Sequence, residues 1–481
     1  MRKILSIIIP AAILLAALSS CGKKEYGDAP VDTRALSFAS TDLSVGWEGG
    51  SFTVAVQCNF DYRVTVGADW ITPSGLEDPS APSFTAARNE NAGKRSAKIR
   101  FTDKTDRYYF KEVTVTQDGD PSTPEYLYIV DKNATAETKA LLANLWTVAD
   151  KGWMFGHHDD LWYGRYWYDQ PGGSDTKAVC GDYPAVFSVD ISEIMDDRAG
   201  AAANAIRRRV MLEARERGEV ILACAHLNNP KTGNDAWDNS SSDVVKEILT
   251  EGTTTRTKYL GWLDNCASFA LGLKDSEDRL IPIIFRMYHE HTQSWSWWGT
   301  TCTTATEFID LWKMTVTYLR DTKGVHNFLY AISPQMDGVY TDPKGRIQTR
   351  WPGDDWVDFI GMDCYHGSNN IAFSNNLKAL EEVSAAKKKP CGVTEDGLES
   401  FTQSDYWSRY IVAPTEGRRI SMVTMWRNKY VAGNENDKHY YSVYPGHPSE
   451  EDFRKMYDLE WTLFSRDLPD MYTMPQGYEI K

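Results

Sequence analysis

Two kinds of hydrophobic patterning divide the chain. Between residues 35 and 119, apolar and polar positions alternate in short runs. They are Ser51-Phe52-Thr53-Val54-Ala55-Val56, Tyr62-Arg63-Val64-Thr65-Val66 and Glu112-Val113-Thr114-Val115-Thr116. A period of two is that of a strand with one buried face. Glu48-Gly49-Gly50, Pro73-Ser74-Gly75 and residues 89–93 read as turns. The segment is therefore predicted to be a small immunoglobulin-like β-sandwich, with residues 120–125 as a linker. From 126 to 481 continuous apolar runs replace the alternation, and stretches with helical spacing separate them. Ala202, Ile206, Val210 and Ala214 share one face of a helix over 201–218, and 307–320 is a second helix. This grammar predicts parallel βα units. The runs lie at 153–156, 185–190, 220–226, 280–290, 327–334, 359–365, 391–395 and 422–427. Eight such runs fit an α/β fold of the (β/α)8 TIM-barrel type better than a doubly wound sheet.

Polar residues collect where these runs end: His157-His158-Asp159-Asp160, Asp190, His226, His289-Glu290, Asp363 with Tyr365, Glu395-Asp396 and Trp426-Arg427. In this fold the C-terminal strand ends carry the active site. Glu290 closes the fourth run and Glu395 the seventh, positions that face each other across an eight-stranded mouth. Two convergent carboxyl groups are what glycosidic bond cleavage requires, one to protonate the leaving oxygen and one to meet the anomeric carbon. The 17 Trp residues agree with a sugar ligand, because aromatic faces stack on sugar rings, although large cores also use Trp. A net charge of -15 and the lack of a Lys/Arg stripe argue against nucleic acid. No metal is assigned. His157 and His158 are adjacent strand residues that point to opposite sides, and no His-Glu-x-x-His spacing occurs. No cofactor is assigned either.

The N-terminus carries a separate message. Arg2 and Lys3 precede an apolar stretch, 4–18, that is too short to span a bilayer. Leu18-Ser19-Ser20-Cys21 resembles a bacterial lipobox. That resemblance makes 1–21 a lipoprotein signal peptide, Cys21 the lipidated residue and 22–34 a tether. It implies an outer-membrane lipoprotein, at the cell surface or facing the periplasm. Seven cysteines remain, an odd number that cannot pair fully, and Cys224, Cys364 and Cys391 read as small buried hydrophobes.

The words around the strand ends resemble glycoside hydrolase family 26 over residues 126–481. They are Gly156-His157-His158-Asp159-Asp160 with Tyr163-Gly164, and Arg286-Met287-Tyr288-His289-Glu290 followed by Trp295-Ser296-Trp297-Trp298-Gly299. The others are Phe359-Ile360-Gly361-Met362-Asp363-Cys364-Tyr365, Thr394-Glu395-Asp396-Gly397 and Thr424-Met425-Trp426-Arg427-Asn428. Met287, Ser296 and His158 depart from the family's usual Pro, Phe and Gln, and the stretch 291–294 lacks an expected Gly. The resemblance implies a retaining glycosidase, with Glu290 as acid/base and Glu395 as nucleophile. It implies that His289 shapes the cleavage subsite and that His226 contacts substrate. Tyr365 would bond the nucleophile or its sugar, and Asp363 would orient its neighbours. Trp426 would floor the cleaved sugar, Arg427 would bond a hydroxyl or pair with acids, and Trp295 would face the leaving group, with Trp237 a further candidate. The implied activity is endo-β-1,4-mannanase. Alternatives are β-glucanase or β-1,3-xylanase of the same family, or a non-catalytic glycan-binding surface lipoprotein. The expected partners are a β-mannan-type polysaccharide and the outer membrane through Cys21, with other surface glycan-utilisation proteins as candidates. Residues 35–119 resemble a BACON domain through Gly49-Gly50-Ser51-Phe52, Asp69-Trp70-Ile71, Asn89 with Arg95, and residues 115–119. That resemblance admits either glycan binding or a spacer role, and with no convergent aromatics evident there the spacer role is the expectation.

Overall fold

The computed structural model describes residues 33–433 and 436–481. The signal segment, Cys21 and all but the last two tether residues lie outside that range. The chain divides after Thr123 into two compact units.

The first unit is all-β. Asp42–Val45, Phe110–Gln117, Arg95–Asp103 and Tyr62–Val66 form a four-stranded sheet, and Gly50–Thr53, Ser83–Ala86 and Ile71–Gly75 a three-stranded one. Val54, Phe84, Ile99, Phe101, Val113 and Val115 fill the core. Two details differ from expectation. The run 51–56 is two strands, because Gly50–Thr53 pairs with Ser83–Ala86 whereas Val56–Cys58 pairs with Leu36–Phe38. The alternation survives the change of partner, since Val54 and Val56 are both buried. Pro73 is not in a turn but in the strand Ile71–Gly75, opposite Phe84 and beside a register shift. That strand is an edge, where a missing backbone N–H costs no ladder bond. Tyr108 and Phe110 are exposed on this unit, each against an arginine. Sequence alone did not reveal them.

The second unit is a closed parallel barrel. Its strands are β1 Trp153–His158, β2 Val186–Asp190, β3 Val220–Ala225, β4 Ile283–Met287, β5 Phe328–Ile332, β6 Phe359–Asp363, β7 Cys391–Asp396 and β8 Met422–Met425. Each pairs in parallel with the next, and β8 pairs with β1. Seven of the eight strands contain only buried residues; Asp190, closing β2, is the partly exposed exception. Covered on both faces, they read as continuous apolar runs rather than alternations. The outer helices follow from ordinary local rules. Thr304 and Glu307 form a reciprocal cap at the start of Ala305–Thr317, and Phe308, Leu311, Trp312 and Val316 face inward. In Ala201–Glu216 the inward face carries Arg207, Val210, Met211 and Ala214, while Ala202 is exposed. Arg207 is tolerated there because it pairs with Glu193 and lies 4.2 Å over the Trp162 ring. The seven cysteines of the described residues are free, and Cys224, Cys364 and Cys391 are buried. Among the described residues no helix is long and apolar enough to cross a membrane.

Three strand glycines, Gly156, Gly361 and Gly392, leave no room for a side chain. A Cβ on Gly392 would lie 2.6 Å from Met422 Cγ and 2.9 Å from Met422 O. Gly392→Ala is therefore expected to lower unfolding stability by about 1–3 kcal/mol, the usual cost of overpacking, measured by urea denaturation.

Candidate active site

Glu395 lies near the end of β7 and is 4% exposed. Two groups hold its carboxylate. Tyr365 donates its hydroxyl to Oε2 at 2.7 Å, and Arg286 donates Nη2 to Oε1. Arg286 belongs to β4 and has no exposed surface. Its Nη1 reaches Asp363 Oδ2 at 2.7 Å and Ser333 Oγ at 3.0 Å. Thr394 donates to the other Asp363 oxygen at 2.6 Å. Burial works against the guanidinium charge, but Asp363 and Glu395 outweigh it and hold Arg286 above its ordinary value.

Glu290 is placed differently. β4 stops at Met287, and both Tyr288 and Glu290 take φ of 52°. Non-glycine residues seldom adopt that left-handed conformation. The Glu290 amide is held by Ser333 O at 2.7 Å, and the carbonyl between the two turns, that of His289, accepts from Trp298 Nε1 at 2.8 Å. The turn swings the Glu290 side chain inward, where Trp295 Nε1 donates to its Oε2 at 3.1 Å. One oxygen from each of Glu290, Asp363 and Glu395 lies within 4.8 Å of the others. So close an approach lies nearer to the separation of about 5–5.5 Å that lets one carboxylate attack and the other protonate than to the roughly 6.5–9.5 Å that leaves room for a water. Burial and the charges of Glu395, Asp363 and Asp337 raise the Glu290 carboxyl well above the usual range. One acid thus sits against a buried cation while the other is held towards its protonated form, which is the division of labour for acid-assisted displacement at a sugar carbon.

Residues 130–405 match the family model for glycosyl hydrolase family 26. The chain belongs to this family. Residues 60–118 match the BACON model. A curated mannan endo-1,4-beta-mannosidase of Bifidobacterium adolescentis is 31% identical, over 72% of this chain and 36% of its own length. Among solved structures, a GH26 beta-mannanase from Bacteroides ovatus is 39% identical, covers 71% of this chain and 98% of that one, and superposes with a TM-score of 0.66. The catalytic domain of a GH26 endo-beta-1,4-mannanase from Bacillus sp. JAMB-750 is 28% identical, covers 75% and 99%, and has a TM-score of 0.68. The chain spans 36% to 64% of the length of the first three curated relatives.

In this family 26 domain most of the residues singled out from sequence meet at one cavity of about 160 Å³. His226, Trp237, His289, Glu290, Trp295, Tyr365, Glu395 and Trp426 all line it. Trp426 is stacked on His158 at 4.1 Å. A second cavity of about 350 Å³ shares His226, Trp237 and Trp426 with the first and continues to Asp159, Tyr163, Arg427 and His439. Arg427 belongs to this second cavity. It donates to Tyr163 at 3.2 Å and lies 3.9 Å from Asp159, with a third of its side chain exposed. Asp363 stands apart from the cavity. It is fully buried, and the donors from Arg286, Ser333 and Thr394 occupy it, so it positions Glu395 through Arg286 and meets no ligand.

The two histidines also differ from a simple contact role. His226 Nδ1 faces Asp190 at 2.6 Å and its Nε2 faces His289 Nε2 at 3.0 Å. A carboxylate only accepts, so His226 carries its proton on Nδ1. Both its nitrogens are then engaged within the protein, and the cavity meets its ring. Burial and the nearby His226 and Arg286 hold His289 well below the ordinary imidazole value, so it is neutral. Arg286, Asp190 and Asp337 were given no role from sequence. Arg286 did carry a signal, being a charge inside the apolar run Ile283-Ile284-Phe285-Arg286-Met287, and a buried charge requires partners.

The departures from the family pattern after Glu290 brace one another. His291 is buried and stacks on Phe308 at 4.6 Å. Gln293 accepts from the Trp295 amide and donates to Ser296 Oγ at 3.1 Å. Arg350 donates to the carbonyls of His291, Trp298 and Thr303. Together they hold the loop that carries Trp295.

Asp190, Cys224 and His226, and separately Glu290, Asp363 and Glu395, bring metal-type donor atoms within 4.8 Å. In the acid group the positive charge comes from Arg286, and in the other a hydrogen bond already joins Asp190 to His226. His157 and His158 diverge, the first towards Thr176 and Asp160 and the second towards Ser188 and Trp426.

The Glu290 environment has a direct test. Negative charge on Glu395 favours the protonated form of Glu290, so removing it must favour the ionised form. In Glu395→Gln the carboxyl titration of Glu290, followed by 13C NMR, is expected to move to lower pH. It should stay above the ordinary carboxylate value, because burial persists.

Proposed function

We propose that this chain is a retaining endo-β-1,4-mannanase that cleaves mannan-type polysaccharides by double displacement. The observation that carries the mechanism is the close approach of Glu290 and Glu395 in opposite settings. Glu395, oriented by Arg286 and Tyr365, attacks the anomeric carbon. Glu290 gives its proton to the glycosidic oxygen as that bond breaks. Once Glu395 is esterified its charge is gone, so the Glu290 carboxylate, now ionised, removes a proton from water. Water then displaces Glu395 with overall retention. Neutral His289 and the Trp426 face provide an uncharged, aromatic setting for the sugar, as a polymer of neutral hexoses requires. The names of the relatives supply the substrate: each of the three described above is a mannanase. The two cavities share the lining residues His226, Trp237 and Trp426, an arrangement that suits attack within a chain.

Assay of the purified protein on mannan, glucomannan, lichenan and β-1,3-xylan is expected to give products from the first two. Release from lichenan or β-1,3-xylan alone would reassign the substrate, and no product from any would end the enzyme reading. Glu290→Ala and Glu395→Ala are each expected to lower kcat by orders of magnitude. With an activated aryl substrate, azide should rescue only Glu290→Ala and yield the β-azide. Rescue of Glu395→Ala in that manner would reverse the roles.

We also propose that Cys21 is acylated and tethers the protein to the outer membrane, with residues 35–119 acting as a spacer. Radiolabelled palmitate should enter the wild-type chain in the producing cell and not Cys21→Ala. Equal labelling of both would refute the anchor.

A further inference from the structure

Aromatic side chains continue past the second cavity. Tyr163 lines that cavity and is itself buried. Its ring stacks on Tyr168 with centroids 6.5 Å apart and planes at 11°. Tyr168 in turn lies 5.8 Å from Tyr430. Tyr168 is 44% exposed, an unusual setting for a ring stacked on a core residue. Tyr430 is half-buried. The two belong to different loops, one after β1 and the other after β8.

Both loops are braced. Gly164 N bonds Trp167 O at 3.0 Å and Asp169 N bonds Trp162 O at 2.9 Å, which closes the first loop on itself. Buried Asp175 accepts from Trp167 Nε1 at 2.9 Å and from Asn428 Nδ2 at 3.0 Å, linking the two loops. On the second loop Lys429 N bonds His439 O at 2.9 Å, and His439 lines the second cavity. Rings held in this way lose little freedom when a ligand stacks on them.

We propose that Tyr168 and Tyr430 form a distal ledge that stacks on sugars of the same polysaccharide chain, beyond those held in the two cavities. The inference rests on the proposed function and extends it to chain length. Its occupant follows from continuity. Trp426 joins the first cavity to the second, Tyr163 leads out of the second, and Tyr168 covers Tyr163. A neutral, β-linked hexose chain presents apolar ring faces along that path, and aromatic rings of this size bind such faces.

The test compares wild type, Tyr168→Ala/Tyr430→Ala and Tyr168→Phe on mannotriose, longer manno-oligosaccharides and mannan. The double variant is expected to lose about tenfold in kcat/KM on the long chains, as two modest stacking contacts would give, and nothing on mannotriose. Tyr168→Phe keeps the ring and should match wild type throughout. Equal losses on short and long substrates would mean that the variants act through Tyr163 and the cavity, and would overturn the ledge. So would unchanged rates on the long chains. A wild-type protein that releases nothing from mannan overturns the substrate assignment and the ledge together, whereas an active one with length-independent variants overturns the ledge alone.

Discussion

Arg286 has no exposed surface, yet it carries a full positive charge. A protein interior accepts such a charge only where acids surround it and their remaining lone pairs are satisfied. Here the partners come from different strands: Asp363 from β6, Glu395 from β7 and Ser333 from just past β5. One side chain on β4 therefore fixes half of the barrel mouth. Asp363 and Thr394 complete the network, and no member can move without leaving a buried charge or donor unpaired. The rigidity matters because Glu395 must present one oxygen towards the cavity in a fixed direction.

Glu290 and Glu395 are chemically the same group, and the backbone makes them unequal. Glu395 sits where β7 shifts register against both of its neighbours, against a guanidinium and a phenol. Glu290 sits on a left-handed turn, faces other carboxylates and receives only an indole N–H. That turn is an unfavourable conformation maintained by bonds from Ser333 and Trp298. Local strain thus buys both the inward direction of the Glu290 side chain and the crowding that keeps it protonated.

The loops after β3 and β4 form one wall of the cavity. Asn239 donates to Ser294 O at 3.0 Å, the Trp297 amide bonds Ala236 O at 3.3 Å, and Trp297 Nε1 bonds Leu227 O at 2.9 Å. Trp237 and Trp295 project from this joined wall, 56% and 38% exposed. Exposed tryptophans on a braced support are ready for a ring-shaped ligand without first being ordered. The departures that follow Glu290 lie in the support, which explains how the loop keeps its position with a different sequence.

Much of this was legible in the chain. Continuous apolar runs between helical stretches, nearly all ending in polar residues, predicted the barrel and the ring of side chains at its mouth. Run order placed Glu290 opposite Glu395. These readings succeed because burial on both faces of a parallel strand imposes a composition that survives in one dimension. Pro73 was misread because a strand edge and a turn make the same demand on the backbone N–H, and only the sheet partner distinguishes them. Asp363 was read as orienting its neighbours, but its place at a strand end did not say which ones, because its partner Arg286 lies 77 residues away in sequence. The roles of Arg286, Asp190 and Asp337 depend on atoms 28 to 109 residues away in sequence. By itself, the sequence determined which residue types crowd the mouth of the barrel. Which carboxyl keeps its proton was decided only in three dimensions, since protonation depends on distance, burial and neighbouring charge, and the order of residues does not specify these.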